Sequence, residues 1–252
     1  MAIFDTHAHY LAEDFGGELI PLLEKMPEMG VERIMAVGYS LESSREELEL
    51  ARRFPFIVSA AGIHPENCMG LPTDWLSQLE EILAAPEVKA LGEIGLDYHY
   101  EGYDKELQAE VFERQLILAQ RLSLPVIIHS RDACEDTMRL LRKYRPRGVL
   151  HCFSGSAETA KEVVKLGMYV GFTGVLTFKN SKKAWAACEA VPPDRLLLET
   201  DSPYMAPVPH RGEKSHSGMI KYTAAKMAEI KGVSTEEMIE LARDNGERLF
   251  GL

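Results

Sequence analysis

The sequence predicts a single α/β domain over residues 1–252, built as a (β/α)8 TIM barrel. Eight short apolar runs alternate with longer amphipathic stretches, and about 250 residues is the usual size of such a barrel. Polar residues with metal-binding chemistry collect where the apolar runs end. No linker, low-complexity segment or internal repeat interrupts this pattern. An open, doubly wound sheet is the alternative.

The apolar runs contain many β-branched residues and predict strands. They cover residues 3–9, 33–39, 57–63, 90–96, 126–130, 148–153, 169–174 and 196–201. The amphipathic stretches predict helices over residues 17–29, 43–53, 73–85, 105–121, 133–142, 157–165, 182–190, 219–230 and 236–249. Because strands and helices alternate, we expect parallel βαβ units.

The composition is that of an ordinary globular protein, with a formal net charge of −11. A protein that tracks along duplex DNA normally carries a basic stripe, and this sequence has none. Bound divalent metal would neutralise part of the negative charge, so the net charge does not exclude a phosphorylated substrate. The four cysteines are scattered, and neither a secretion signal nor a membrane span is visible. We therefore expect reduced thiols, a cytoplasmic location and no membrane association.

Five predicted strands carry metal-competent side chains at their C-terminal ends. These side chains are His7, His9, Glu93, His129, His151 and Asp201. Each alone has a structural explanation, such as a hydrogen-bonded core histidine or, for Asp201, a helix N-cap. In a barrel, however, all six converge on one mouth. Four imidazoles and two carboxylates are enough to bind two divalent cations with one carboxylate bridging them.

Alternation along the first strand predicts that residues 3, 5, 7 and 9 face the lumen and residues 4, 6 and 8 face the helices. Asp5 and Glu199 then lie one pleat deeper than the candidate ligands. We expect them either to accept hydrogen bonds from ligating histidines or to form buried salt bridges.

Several motifs follow one another in a characteristic order. They are FDTHAH, GIHP, GEIGLDY, PVIIHSRDA, HCFSGS, GFTGVLTFKN, LLLETDSPY and PHRG. Along essentially the whole chain, the sequence resembles the TatD-type metal-dependent deoxyribonucleases, a branch of the amidohydrolase superfamily. The resemblance implies a barrel with two divalent metal ions. One ion would be bound by His7, His9, Glu93 and Asp201, and the other by Glu93, His129 and His151.

The resemblance also implies hydrolysis of DNA, commonly as a 3′→5′ exonuclease on single strands or 3′ ends, with some members linked to removal of D-amino acids from tRNA. On this interpretation a metal-activated hydroxide attacks phosphorus, with Glu93 bridging the ions and Asp201 accepting the proton. Tyr98 and Tyr204 are candidates to stack on a base. Rim donors would bind the substrate phosphate; they are His64, Arg131, Lys179 and Arg211.

The segment after PHRG departs from the family pattern. The family usually continues with Lys-Arg and then Asn-Glu-Pro, whereas residues 213–218 here are EKSHSG, with His216 expected to be exposed. This loop follows the last strand, where substrate contacts belong, so the chemistry is better determined than the substrate. The alternatives are hydrolysis of another ester or amide, such as an aminoacyl ester on tRNA, a phosphotriester or a lactone, and a non-catalytic binding protein.

Two further properties stay open at this stage. Histidine-rich ligation suits Zn²⁺ or Mn²⁺, while many nucleases use Mg²⁺. Many binuclear amidohydrolases bridge their metals with a carboxylated lysine on the fourth strand. Here Lys89 lies too early in that strand, and Glu93 takes the corresponding place. The oligomeric state does not follow from the sequence.

Overall fold

The computed structural model describes residues 2–252, and its eight strands form one sheet in the order of the chain. The strands are β1 (Ile3–Ala8), β2 (Val31–Val37), β3 (Ile57–Ala61), β4 (Val88–Asp97), β5 (Val126–Arg131), β6 (Gly148–Leu150), β7 (Tyr169–Phe172) and β8 (Leu196–Leu198). Each strand is parallel to the next. The (β/α)8 prediction is confirmed, because a doubly wound sheet reverses its strand order.

Ten α-helices accompany the strands in the described part of the chain. They are α1 (Ala12–Phe15), α2 (Leu19–Glu24), α3 (Leu41–Arg53), α4 (Trp75–Leu83), α5 (Lys105–Leu122), α6 (Cys134–Tyr144), α7 (Ala157–Lys165), α8 (Lys182–Ala190), α9 (Ile220–Lys231) and α10 (Thr235–Phe250). The helices α7 and α8 have the predicted bounds. The single helix predicted over residues 17–29 is wrong, because Pro27 has no backbone N–H and begins a separate 3₁₀ turn.

Two strands near the candidate site, β6 and β8, end earlier than the sequence predicts. β6 ends at Leu150 and β8 ends at Leu198, so His151 and Asp201 stand in the loops that follow. Cys152 and Asp201 have φ angles of 42° and 59°, in the left-handed region that non-glycine residues seldom adopt. These backbone turns follow the strand ends and leave the side chains at the mouth of the barrel.

A buried cluster in the barrel interior contains at least one residue from every strand. Its strand members are Phe4, Met35, Val37, Val58, Ala60, Ala90, Ile127, Val149, Tyr169 and Leu197. Because side chains two apart share a face, Ile127 and Val149 place His129 and His151 directly above this cluster. The larger hydrophobic cluster packs the outer face of the strands against the helices. The candidate site therefore has an apolar floor.

An irregular register in β1 changes which of its residues face inward. The register with β2 shifts between Asp5 and Ala8, so the regular alternation is interrupted there. Asp5 pairs with Ile34 of the outer cluster, whereas Phe4 belongs to the interior cluster. The predicted alternation is therefore wrong for the lower part of β1, and Asp5 does not share a face with the candidate ligands.

Near the mouth, β1 and β8 are joined by backbone hydrogen bonds that close the barrel. The N–H of Asp201 donates to the His7 carbonyl at 3.0 Å, and the N–H of His9 donates to the Ser202 carbonyl at 2.8 Å. These two bonds bring the end of β1 and the segment after β8 to the same side of the candidate site.

Further from the mouth, side-chain hydrogen bonds take the place of a backbone hydrogen-bond ladder between β1 and β8. Thr6 Oγ1 donates to the Leu198 carbonyl at 3.0 Å, and Asn245 Nδ2 from α10 donates to the Leu196 carbonyl at 2.9 Å. Strand-edge carbonyls that would otherwise be unpaired are thus satisfied. Gly246 lets the helix approach this seam, since a Cβ there would lie 3.0 Å or less from the Phe4 ring and the Thr6 methyl group.

Two further expectations concern the cysteines and the membrane. All four cysteines are free thiols. None of the helices within residues 2–252 combines the length and the apolarity that crossing a bilayer requires.

We predict that Gly246→Val destabilises the protein by about 1–3 kcal/mol, because the added side chain overpacks the seam between β1 and β8. The midpoint of urea unfolding measures the change. Gly17→Val is the matched control, since a Cβ at Gly17 meets no atom within 4 Å. Equal stability of the two variants would contradict tight packing at the seam.

Candidate metal centre

The candidate centre is organised around Glu93, which lies midway along β4 and is buried. Its two carboxylate oxygens face different groups of imidazoles. Oε2 lies 3.5 Å from His7 Nε2 and 3.6 Å from His9 Nε2. Oε1 lies 3.0 Å from His129 Nδ1 and 2.6 Å from His151 Nε2. One carboxylate thus connects the two sets of residues predicted as ligands.

Asp201 completes the group that contains His7 and His9. Its Oδ1 lies 3.8 Å from His7 Nε2 and 3.6 Å from His9 Nε2. The two Nε2 atoms are 3.2 Å apart. All six residues predicted from the strand ends therefore meet in one place.

Two imidazoles are oriented by hydrogen bonds to groups behind them. His9 Nδ1 lies 2.6 Å from the Val37 carbonyl, and His129 Nε2 lies 2.8 Å from Asp97 Oδ2. Because a carbonyl or carboxylate oxygen only accepts hydrogen bonds, these ring nitrogens carry a proton, and the opposite nitrogens are the ones turned toward the centre. Hydrogen-bond partners of this kind orient metal-binding histidines in proteins. His151 Nδ1, by contrast, lies 3.7 Å from a carboxylate oxygen of Glu199, which is too far for a hydrogen bond.

The spacing of the donor atoms fits a shared metal ion. Zinc binds nitrogen and oxygen ligands at about 2.0–2.2 Å, so neighbouring ligands of a tetrahedral ion are about 3.4 Å apart. In the group around His7 and His9, the pairs that include an imidazole are separated by 3.2–3.8 Å. His151 Nε2 lies 2.6 Å from Glu93 Oε1, but this contact does not have the geometry of a hydrogen bond, and the nitrogen makes none with any residue of 2–252. Coordination of a metal ion would satisfy this buried nitrogen.

Both central carboxylates are held in the ionised form. Burial opposes ionisation of Glu93, but the charge of His151 and the hydrogen bond from His129 hold its pKa well below its ordinary value. Burial also opposes ionisation of Asp201, yet the interaction with His9 and the surrounding imidazoles lower its pKa to about 2. Anionic oxygen ligands are therefore available at neutral pH.

His64, predicted at the rim, lies against the centre itself. Its Nε2 is 3.7 Å from Glu93 Oε1, and its Nδ1 accepts a hydrogen bond from the Glu66 N–H at 3.2 Å. The proton is therefore on Nε2. Burial, opposed by the charge of Glu93, lowers the pKa of His64 to about 3. The ring is a neutral hydrogen-bond donor at physiological pH.

The three basic residues predicted to bind substrate lie around the mouth. Arg131 ends β5 and donates from Nη1 to Tyr100 Oη at 3.2 Å. Lys179 and Arg211 are exposed in the loops after β7 and β8, with the Arg211 guanidinium 4.1 Å from the centre of the Phe178 ring. None of the three forms an ion pair with a carboxylate of the described residues. Their charges are free to meet an anion.

The two tyrosines considered for base stacking differ in exposure. Tyr98 stacks on Tyr103 with ring centroids 4.8 Å apart, and its hydroxyl donates to Asp136 at 3.2 Å. Tyr98 therefore packs beneath the loop after β4, and Tyr103 covers one face of its ring. Tyr204 is 58% exposed at the start of the loop after β8.

Asp5 does not accept a hydrogen bond from a ligating imidazole, which corrects that expectation. Its carboxylate accepts hydrogen bonds from the Thr200 hydroxyl at 2.6 Å and the Ser217 hydroxyl at 2.7 Å. The EKSHSG loop is thereby held against the barrel. His216 is half-buried, contrary to its expected exposure, because Ser215 and Ser217 on either side of it are buried.

Two buried carboxyl groups near the site were missed by sequence reasoning. Asp97 follows Glu93 by four residues in the same strand, so alternation was the signal that should have identified it as a partner of His129. Glu47 lies on α3 and accepts a hydrogen bond from the Tyr10 N–H at 2.6 Å. Burial raises the pKa of Glu47 to about 8. Nothing local in the sequence separates it from the exposed acids of the same helix.

We predict that Glu93→Gln lowers the bound metal to at most one ion per chain, because an amide loses the charge and one of the two oxygens. Elemental analysis of the purified protein measures the stoichiometry. Glu28→Gln, an exposed change on the opposite end of the barrel, is the control and should keep the wild-type content. An unchanged stoichiometry in Glu93→Gln would refute the bridging role.

We predict that Asp97→Asn weakens binding of one metal ion by about 10–100-fold, because His129 loses the carboxylate that orients its ring. Competition with a chromophoric chelator measures both affinities. The control is Asp132→Asn, whose exposed carboxylate pairs with His99 instead. Equal affinities in the wild type and Asp97→Asn would contradict this role.

Related proteins match the sequence along nearly its whole length. A family model described as TatD related DNase matches residues 4–251. The uncharacterized metal-dependent hydrolase YabD of Bacillus subtilis is 39% identical over 98% of both chains. The uncharacterized metal-dependent hydrolase YcfH of Escherichia coli K12 is 38% identical over 99% of this chain and 96% of its own. TatD of Erwinia tasmaniensis, named a 3′-5′ ssDNA/RNA exonuclease, is 29% identical over 99% and 100%.

Solved structures agree with this relationship. The TatD homologue YJJV from Escherichia coli K12 has a TM-score of 0.94 and 30% identity, and the match covers 99% of this chain and 98% of that one. A TatD family hydrolase from Entamoeba histolytica has a TM-score of 0.90 at 22% identity over the same shares, which supports the fold. The family model, the relatives and the barrel agree: the chain belongs to the TatD family of metal-dependent hydrolases.

Proposed function

We propose that this hydrolase is a deoxyribonuclease that removes nucleotides from the 3′ ends of single strands. The observation that carries the proposal is the carboxylate of Glu93, whose two oxygens face separate groups of donors. Paired metal ions suit an in-line displacement at phosphorus, because attacking and leaving oxygens must be stabilised together. The name of the Erwinia relative supports a nucleic-acid substrate.

The residues present fit two divalent ions, and imidazole-rich donors favour Zn²⁺ or Mn²⁺ over Mg²⁺. We assign the ligands of one ion as His7, His9, Glu93 and Asp201, and those of the other as Glu93, His129 and His151. When bound, such ions lower the pKa of water and neutralise charge on a phosphoryl oxygen.

Asp201 is the proposed acceptor of the proton from the attacking water. Its pKa is lowered to about 2, so the group is a carboxylate and not a carboxylic acid at neutral pH, as a proton acceptor must be. As the water oxygen bonds to phosphorus, the bond from phosphorus to O3′ of the preceding nucleotide breaks. That O3′ takes up a proton, and the terminal nucleotide leaves as a 5′-monophosphate.

The remaining polar residues position the phosphate. His64 donates from Nε2 to a phosphoryl oxygen, since its Nδ1 is already paired with the backbone of Glu66. Arg131, Lys179 and Arg211 neutralise phosphate charge around the mouth. Three separate cations on a protein of net charge −11 suit the end of one strand better than a long duplex.

A substrate panel tests the proposal. The metal-loaded protein is assayed on 3′- and 5′-labelled single strands, and on ester and amide substrates, with and without chelator. We expect metal-dependent release of single nucleotides from the 3′ end. Hydrolysis of aminoacyl esters, phosphotriesters, lactones or amides in place of the strands would assign the protein to the alternative hydrolase. Absence of turnover on every substrate would favour a binding protein.

We predict that Asp201→Asn lowers the turnover of labelled strands by about 10²–10⁴-fold, because an amide cannot accept the proton. Circular dichroism and the melting temperature should stay close to the wild type. Asp194→Asn, an exposed change next to Arg195, is the control and should retain full activity. Full activity in Asp201→Asn would remove Asp201 as the proton acceptor.

A further inference from the structure

A cleft of about 360 Å³ opens beside the candidate centre, between residues 65–69 and residues 97–108. It adjoins the centre through Asp97, which lines the cleft and accepts the hydrogen bond from His129. None of the proposed metal ligands lines the cleft. The cleft is therefore distinct from the set of candidate ligands and adjoins it at Asp97.

Large apolar side chains in this cleft are unusually open to solvent. Met69, Tyr100 and Tyr103 are 72%, 56% and 43% exposed. Exposed apolar groups gathered in one place mark binding sites more often than single ones do. Tyr100 is fixed at the cleft wall by Arg131, whose guanidinium lies 5.1 Å from the ring centroid. The cleft thus offers flat aromatic surface next to a cation at the mouth.

The polar groups of the cleft are acidic. Its described lining includes four carboxylates and contains no lysine, arginine or histidine. Asp97 is engaged by His129, and Asp104 accepts hydrogen bonds from the first turn of α5. The carboxylate of Glu66 has no hydrogen bond or ion pair with any described residue. Such a lining repels phosphate and suits a group that donates hydrogen bonds from N–H.

We propose that the cleft binds the base of the terminal nucleotide and prefers bases with an exocyclic amine. This assignment rests on the proposed function. In that function Arg131 binds the substrate phosphate, and a phosphate bound there would lie between the metal centre and the cleft. Aromatic side chains stack on any base, and carboxylates accept hydrogen bonds from the amino groups of adenine, cytosine and guanine. Thymine has no exocyclic amine, and its carbonyl oxygens cannot donate to a carboxylate, so only its ring N3–H could pair with Glu66.

Equilibrium dialysis of the full-length, metal-loaded protein tests the assignment without turnover. The probes are deoxyadenosine 5′-monophosphate, thymidine 5′-monophosphate and 2-deoxyribose 5-phosphate, which has no base. We expect the adenine nucleotide to bind about tenfold more tightly than the base-free sugar phosphate, with the thymine nucleotide between them. Equal binding of the adenine nucleotide and the sugar phosphate would overturn the proposal.

Variants locate the effect in the cleft. Tyr100→Ala should bind the adenine nucleotide as weakly as the sugar phosphate, whereas Tyr100→Phe should keep the wild-type preference. Glu66→Gln should abolish the preference for adenine over thymine. The controls are Ile117→Ala and Glu240→Gln, exposed changes on α5 and α10, and both should leave all three affinities unchanged. An unchanged preference in Tyr100→Ala would place the base elsewhere.

Cleavage of labelled strands separates failure of the cleft from failure of the nuclease. One strand ends in adenine, one in thymine and one in an abasic nucleotide. Cleavage of all three at equal rates would overturn the cleft assignment and leave the nuclease intact. Cleavage of none of them would overturn the nuclease, whatever the dialysis shows.

Discussion

The whole site depends on one buried carboxylate that is shared by two groups of imidazoles. Glu93 stands in the middle of β4, so its charge can be stabilised only by side chains that other strands deliver. His7 on β1 and His9 just after it face one oxygen, while His129 on β5 and His151 just after β6 face the other. A buried charge without partners is strongly destabilising, so closure of the barrel and the orientation of the imidazoles support each other.

Much of this arrangement follows from local patterns in the sequence. The alternation of apolar runs and amphipathic stretches predicts the barrel, and the barrel requires all C-terminal strand ends to meet. That rule was enough to bring six distant residues together. The broken helix over residues 17–29 was predictable too, because Pro27 ends the pattern there. The ends of β6 and β8 are predicted too late, because the backbone leaves the strand conformation before His151 and Asp201 and then passes through left-handed residues, which residue type alone does not reveal.

Groups that act through backbone atoms, or that an irregular strand register reorients, could not be predicted from the sequence. The Val37 carbonyl that orients His9 belongs to a residue whose side chain is apolar and buried, so its polar role is invisible in the pattern. Strict alternation predicts that Asp5 lies one pleat below the ligands on the same face, whereas the shifted register of β1 turns it toward Ser217. The cleft beside the centre is formed by two loops, whose relative placement depends on the finished barrel.

The seam between β1 and β8 has a consequence for the folding pathway. About 190 residues separate His7 and His9 from Asp201, and α10, the helix that satisfies the seam, lies later still in the chain. Contacts of such long sequence separation form slowly, because the loop between them must be closed before they contribute any stability. We therefore expect the candidate ligands of β1 to gain their partners late in folding, when the last helix docks against the first strand.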